Sequence, residues 1–320
     1  MRDIRIAAAQ FEYRNGDREY NLSRVRELTK QAVAQGAEVV CFHECCISAY
    51  SFVQTFNREE LLELAEPVPE GRSVRALIGI AREFGVPVLA GLFERDGGKV
   101  YNTFVCVTGD GLIARHRKLH TFISRHLTAG NEYTVFDLLG CRCGILICYD
   151  NNLPENVRIT ALMGAEVVFM PHVTGCLPSR MPGRGVVDRK LWDNREREPV
   201  PLRLEFEGPK ARGWLMRWLP ARAWENGIYA VFTNAVGIDE QEIRPGNSMI
   251  LDPFGEVLNE SRTPGDDVVV GWCTAEKIAA SSGRRYLRAR RPELYDKLVE
   301  PSSEPSVTEP GWKLNTDSSP

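Results

Sequence analysis

The sequence predicts an α/β fold, and three observations carry that expectation. Short apolar runs at residues 4–11, 37–42 and 86–93 have the length of buried strands. Between them lie stretches whose apolar residues recur at helical spacing, Leu22, Val25, Leu28, Ala32 and Val33 in one and residues 74–84 in the other. Glycines at Gly36 and Gly85 close those stretches as helix stops. Strand, helix, strand, helix, strand is the pattern of stacked α/β units.

Taken in order, residues 4–11 read as the first strand, and Asn21 as the lead-in to the first helix, which Gln35-Gly36 ends. Residues 37–42, the helix at 74–84 and the strand at 86–93 continue the alternation. Residues 100–108 and 112–118 read as a hairpin around Gly109-Asp110-Gly111. Residues 141–148 are the next buried strand. Pro154-Glu155 opens a helix to Met163, because proline is pre-organised for a first helical position, and 166–170 is the strand after it. The stretch 174–209 is rich in Pro, Gly, Arg and Asp without clear periodicity, so a long functional loop is expected there. Order resumes with an Ala/Trp/Arg-rich helix at 211–226 and strands near 229–234, 248–251 and 268–272.

Composition narrows the classes. With 320 residues, 43% hydrophobic and 26% charged, the chain can bury a large core. The 40 basic residues nearly balance 43 acidic ones, so no global charge argues for a nucleic-acid partner. No apolar run is long enough for a membrane helix, and Met1-Arg2-Asp3-Ile4-Arg5 enters a strand directly, without signal-peptide character. A cytoplasmic address is expected. Nine cysteines, mostly inside apolar runs, read as reduced thiols.

Three reactive side chains follow apolar strands: Glu44 after Val39-Val40-Cys41-Phe42, Lys118 after the run from Leu112, and Cys148 after Gly144-Ile145-Leu146-Ile147. Ligand sites form at the carboxyl ends of strands in α/β sheets, so the three could meet. Their chemistry is complementary. An ammonium and a helix start near Pro154 would favour the thiolate of Cys148. A carboxylate could take the thiol proton and later activate water. The ammonium could also stabilise a tetrahedral oxyanion. Plainer readings stand beside this: a packed thiol, a solvated carboxylate, and a surface base within His116-Arg117-Lys118. Spacing alone does not choose between them.

The surrounding motifs resemble the nitrilase superfamily of carbon–nitrogen hydrolases. They run in order: Ala8-Ala9-Gln10, Gly36-Ala37-Glu38-Val39-Val40 leading to Glu44, Arg117-Lys118-Leu119-His120, and Cys148-Tyr149-Asp150 with Pro154-Glu155. Gly164-Ala165-Glu166, Ala221-Arg222-Ala223 with Glu225-Asn226, Asn234, Gly237, Ser248-Met249, Asp252-Pro253 and Gly255 complete the series. The resemblance implies Glu44 as general base, Lys118 as oxyanion stabiliser and Cys148 as nucleophile. It implies a four-layer αββα sandwich, with residues 1–300 as the hydrolase domain and 301–320 as a polar tail. A homodimer or higher homo-oligomer is also implied, since members commonly press two sandwiches together through helices. No cofactor is implied.

Some features depart from the family pattern. Many members carry a second Glu between the Lys and the Cys. Here that interval holds only Glu132, which falls after the usual place when Ala129-Gly130 is aligned, so that Glu is displaced or absent. Cys41, His43, Cys45 and Cys46 suggest a metal, but a second ligand pair at suitable spacing is missing, and strand packing is the better account. His116, His120 and His172 read as hydrogen-bonded walls. His120, Tyr149, Asp150, His172, Glu225 and Glu132 are the pocket or supporting candidates. Trp214, Trp218 and Trp224, at near-helical spacing, read as core or dimer contacts.

The expected substrate is a small non-peptide amide. Tyr149-Asp150 stands where true nitrilases have Trp-Glu, and Asn151-Asn152 where N-carbamoyl-D-amino-acid hydrolases tend to have an Arg pair that could clamp a carboxylate. The spacing Cys148, Asp150, Asn152, Pro154, Glu155 looks more like aliphatic amidases. Arg180, Arg184, Arg189, Arg195 and Arg197 in the long loop are either solvated or a carboxylate clamp, which would favour an N-carbamoyl β-amino acid or an ω-amidase-type substrate. A nitrilase, an amide-forming acyltransferase and a regulatory binding member are the other readings.

Overall fold

The structure, a computed structural model, describes residues 1–121, 123–177 and 185–301. The first half runs β1 (Ile4–Gln10), α1 (Arg18–Ala34), β2 (Val39–Cys41), α2 (Arg58–Leu64), α3 (Arg72–Phe84), β3 (Val88–Asp96), β4 (Lys99–Thr108) and β5 (Gly111–Arg117). Next come β6 (Thr134–Leu138), β7 (Cys141–Ile145), α4 (Pro154–Leu162), β8 (Val167–His172), α5 (Arg189–Asp193), α6 (Pro199–Glu207), α7 (Arg212–Leu215) and α8 (Leu219–Asn226). The chain then forms β9 (Tyr229–Asn234), β10 (Val236–Asp239), β11 (Glu242–Pro245), β12 (Met249–Leu251), β13 (Val257–Glu260), β14 (Asp267–Cys273), α9 (Ala275–Ala280) and α10 (Ser282–Arg288).

Two mixed six-stranded sheets result, ordered β14-β1-β2-β3-β4-β5 and β13-β12-β9-β8-β7-β6. Side-chain alternation stacks them. Ile4, Ile6 and Ala8 of β1 pack with Val167 and Phe169 of β8 and Val231 of β9 between the sheets. The intervening Ala7 and Ala9 face Val25, Leu28 and Ala32 of α1 and Val74 and Leu77 of α3. On the far side Val168 and Met170 meet Val157 and Ala161 of α4 and Leu219 and Ala223 of α8. The layers are therefore helix, sheet, sheet, helix, the αββα sandwich.

Local physics explains where the elements depart from the sequence reading. Helix α1 begins earlier than Asn21 suggested, with Asp17 capping it by accepting from the Tyr20 N–H. Asn21 lies buried inside α1, where its amide bonds Arg14 O and Ile47 O at 2.9 Å each and Arg14 N at 2.8 Å. A residue typical of caps is kept in mid-helix because it ties down two loops. Strand β7 ends at Ile145, so Cys148 sits in a 3-10 turn, residues 148–152, rather than at a strand end. The expected helix at 211–226 is two, since Pro220 lacks an N–H and opens a new helix, α8, instead of continuing α7. The stretch 174–209 contains α5 and α6, the latter opened by Pro199, so it is not one loop. A second hairpin, β3–β4, turns at Gly97-Gly98 with both residues at positive φ. Residues 302–320, including most of the expected tail, and Arg180 and Arg184 of the arginine-rich stretch lie outside the described residues.

Among the described residues no helix is long and apolar enough to cross a membrane. All nine cysteines are buried and free of disulfides.

Strand direction positions the site. β2 and β3 are parallel, and two antiparallel steps return β5 to the same direction, so β2 and β5 present their carboxyl ends on one side. β7 and β8 do the same in the other sheet. One glycine makes the approach possible. A Cβ on Gly91 of β3 would collide with the Cys45 backbone nitrogen and lie 3.1 Å from the Glu44 carbonyl carbon. Gly91→Ala should therefore shift the Glu44 segment. The expected result is a lower kcat together with a lower urea midpoint, and wild-type values for both would refute the packing argument.

Candidate active site

Glu44 lies just beyond β2, where Phe42 N–H still bonds Leu89 O and Ile47 N–H bonds Gly91 O. It is fully buried, and every polar group it meets is fixed. Lys118 Nζ and Asn102 Nδ2 donate to Oε1 at 2.6 and 2.7 Å, and the Val173 N–H donates to Oε2 at 3.1 Å. Lys118 leaves β5 with its N–H on Asn102 O and its carbonyl on the Gly130 N–H, both at 2.8 Å. Asn102 thus grips both ends of the Glu44–Lys118 ion pair.

Cys148 opens the 3-10 turn at φ 51°, a left-handed conformation that a non-glycine residue adopts only when its surroundings enforce it. The enforcing groups are visible. Asp150 is buried, and its carboxylate accepts from the N–H groups of Ile147, Leu119 and His120 at 3.1, 3.2 and 2.9 Å. That carboxylate ties the Cys148 turn to the segment that follows Lys118. Asn151 Nδ2 donates to Leu146 O at 2.8 Å and Cys148 O at 3.3 Å. From the helix layer, Arg222 donates to Asn151 O and Asn152 O, and Glu225 accepts from Arg222 at 3.3 Å.

Electrostatics alter the expected state of the nucleophile. Burial first, then the Glu44 carboxylate, push the Cys148 thiol up to about 12, and Lys118 and the Val173 N–H only partly oppose them. Cys148 is held as a thiol beside Glu44, because burial and that carboxylate outweigh the bias toward the thiolate that a nearby ammonium gives. Lys118 is held well above its ordinary value although burial opposes its charge, because Glu44 above all, then Tyr50, Cys148 and Asp150, favour the ammonium.

The other candidates separate. Asp150 and Glu225 brace the nucleophile turn. His120 is half-buried, its Nε2 3.1 Å from Asn156 Nδ2 and its ring 6.1 Å from that of Tyr149. His172 is buried against Phe232 and Trp218, with Nε2 3.2 Å from Asn151 Nδ2. His116 Nδ1 meets Thr134 Oγ1 at 3.1 Å. Glu132 is exposed, past the Gly130 that anchors Lys118. Trp214 is in the core and Trp224 is 44% exposed against Tyr286. Arg189 pairs with Asp193, Arg195 lies over Trp192, and Arg197 is exposed. Cys41, Cys45 and Cys46 turn to separate partners: Thr233, Asn102 and Gly91. Among the described residues no group of His, Cys, Asp and Glu could hold a metal.

Asn102, the Val173 N–H, Tyr50 and Arg222 escaped the sequence reading. Asn102 left a signal, as part of a polar Asn-Thr pair inside the apolar run Val100–Val107, and Arg222 as the charged residue between Ala221 and Ala223. The Val173 N–H left none, because any residue there would supply it.

His43, beside Glu44, has a consequence for stability. Its ring packs 4.8 Å from that of Phe11, and burial brings its pKa down from 6.5 to about 4. As pH falls below 6.5 the unfolded chain takes up a proton that the folded chain refuses until about pH 4. Stability should therefore decline over that window, by up to about 3 kcal/mol. Urea melts of His43→Phe should show a flatter decline than the wild type, and an equal slope would assign it to other groups.

Comparison with known proteins bears on the family and the fold. The carbon-nitrogen hydrolase family model matches residues 5–281. A nitrilase of Pyrococcus abyssi is 30% identical over 270 residues, covering 83% of this chain and 88% of that protein. An (R)-stereoselective amidase of a Pseudomonas species is 32% identical over 303 residues, 93% of this chain and 95% of that one. Among solved structures, a mutant of the nitrilase-superfamily amidase of Nesterenkonia sp. AN1 superposes with a TM-score of 0.67 at 22% identity, covering 92% of this chain and 96% of that one. That protein carries the acetamide moiety of fluoroacetamide covalently added at its active-site cysteine.

Proposed function

Because the chain belongs to the carbon–nitrogen hydrolase family, we propose that it hydrolyses a small non-peptide amide through a thioester on Cys148. The observation that carries this reading is the buried ion pair of Glu44 and Lys118 at 2.6 Å, whose carboxylate also acts on the Cys148 thiol. Each part has one task. Glu44 takes the thiol proton as sulfur attacks the carbonyl carbon. The Lys118 ammonium neutralises the oxyanion that forms there. The C–N bond then breaks, the leaving amine takes the proton from Glu44, and a thioester remains. Glu44 next deprotonates water, which attacks the thioester, and the thiol is restored as the acid departs.

The residues after the nucleophile support an amide substrate. Asn151 spends its amide on Leu146 O and Cys148 O, so no side chain at 151 offers the clamp an N-carbamoyl amino acid would use. The amidase relative is in keeping with this, as is an omega-amidase of Mus musculus, 27% identical over 310 residues. A homodimer through the outer helices is part of the same proposal. Ile159 and Leu162 of α4, Met163 just after it and Trp224 of α8 are apolar yet 37–44% exposed.

The test is ammonia release from a panel of primary amides, N-carbamoyl amino acids and nitriles, with intact mass measured after rapid acid quench. Release from amides with an acyl adduct on Cys148 is expected. Neither ammonia nor adduct from any amide would sink the proposal.

A further inference from the structure

Tyr50 is buried beside the reacting groups but does nothing in the chemistry above. Its side chain is 3% exposed and its hydroxyl has no hydrogen-bond partner among the described residues. Buried hydroxyls are nearly always paired, so an unpaired one beside a catalytic centre calls for a partner. The ring lies 5.5 Å from Lys118 Nζ. Lys118, Glu44 and Cys148 are among the groups that act on the hydroxyl, and burial keeps it neutral, with its pKa well above the ordinary value.

The backbone on either side of the phenol is also held. Ala49 precedes it at φ 70°. Ser51 follows it, with its N–H and Oγ held by the Asp239 carboxylate at 3.3 and 2.6 Å. Asp239 in turn is paired at 2.6 Å with the buried Arg244, which also donates to Ser51 Oγ at 2.8 Å. The backbone that carries the ring is thus held where the ring meets Lys118.

We infer that Tyr50 is a substrate-contacting residue whose hydroxyl hydrogen-bonds the amide bound between Lys118 and Cys148. The inference rests on the proposed reaction and names the group that reads the polar end of the substrate. A neutral phenol both donates and accepts, as a primary amide does, and a site with that group unpaired rejects ligands that cannot pair with it.

Tyr50→Phe tests this, because it removes the oxygen and leaves the ring against Lys118. Two thiol reagents separate recognition from reactivity. Iodoacetamide carries a primary amide, whereas methyl methanethiosulfonate carries none. Labelling of Cys148, followed by peptide mass mapping, should slow about three- to tenfold with iodoacetamide, the effect of one hydrogen bond, and stay unchanged with the thiosulfonate. The kcat/KM for small amides should fall by a similar factor, with the urea midpoint at or above that of the wild type. Equal changes with both reagents, or none with either, would overturn the inference. Labelling needs no turnover, so a wild type that releases no ammonia would sink the reaction alone and leave the reagent ratio to decide Tyr50.

Discussion

Cys148→Ala is expected to abolish amide hydrolysis, lowering kcat by about 10⁴-fold or more, and to leave the fold intact. No second nucleophile can take over. Cys45, a thiol that also lies beside Glu44 and Lys118, is buried, bonded to Asn102 Oδ1, and pushed well above the ordinary thiol range by burial and by Glu44. Alanine keeps the Cβ, so the left-handed backbone at this position carries the same strain before and after the change. The thermal midpoint should therefore move little, while ammonia release and the acyl adduct both vanish. Retention of more than about one per cent of the wild-type rate would reassign the nucleophile.

Lys118→Met should be costly twice. Met matches the length of the side chain but leaves the Glu44 carboxylate buried without its cation, a loss of about 3–5 kcal/mol of folding stability. It also removes the oxyanion partner, worth about 10²–10³ in kcat. The two effects separate in the double variant Glu44→Gln, Lys118→Met. With no buried charge left, most of the stability should return. Of the two donors that serve Glu44, Asn102 Nδ2 and the Val173 N–H, one can still bond the single oxygen of the amide that replaces it, so the recovery should fall short of the full loss. Activity should stay absent, because the general base is also gone. Urea melts and ammonia assays of both single variants and the double form a closed cycle. A Lys118→Met protein as stable as wild type would show that the pair is not electrostatically buried.

The same residues mark how far the sequence could be read. Glu44, Lys118 and Cys148 were legible because each follows an apolar run and sits inside an ordered motif. The apolar periodicity that marks a strand also marks its end. Those cues are local, so they survive without knowing what lies across the sheet. The thiol state of Cys148 was not legible, because the outcome depends on burial and on Glu44 outweighing Lys118, and sequence shows charges without their surroundings. The helices inside 174–209 were missed for a different reason. Proline, glycine and charge clusters read as loop, whereas Pro199 serves as a helix start and Leu202 and Phe206 find a small core of their own.

By itself, then, the sequence determined the α/β alternation, the four-layer expectation carried by the family motifs, and the candidates for the reacting groups. The tertiary structure decided what surrounds them. Asn102 reaches Glu44 across 58 positions, Lys118 across 74 and the Val173 N–H across 129. Asp150 and Arg222 shape the nucleophile turn from outside it. Tyr50 brings an unpaired hydroxyl beside Lys118, next to a Ser51 that Asp239 and Arg244 hold from far along the chain. Strand and helix periods are written along the chain, but hydrogen bonds and burial arise between segments that only folding brings together.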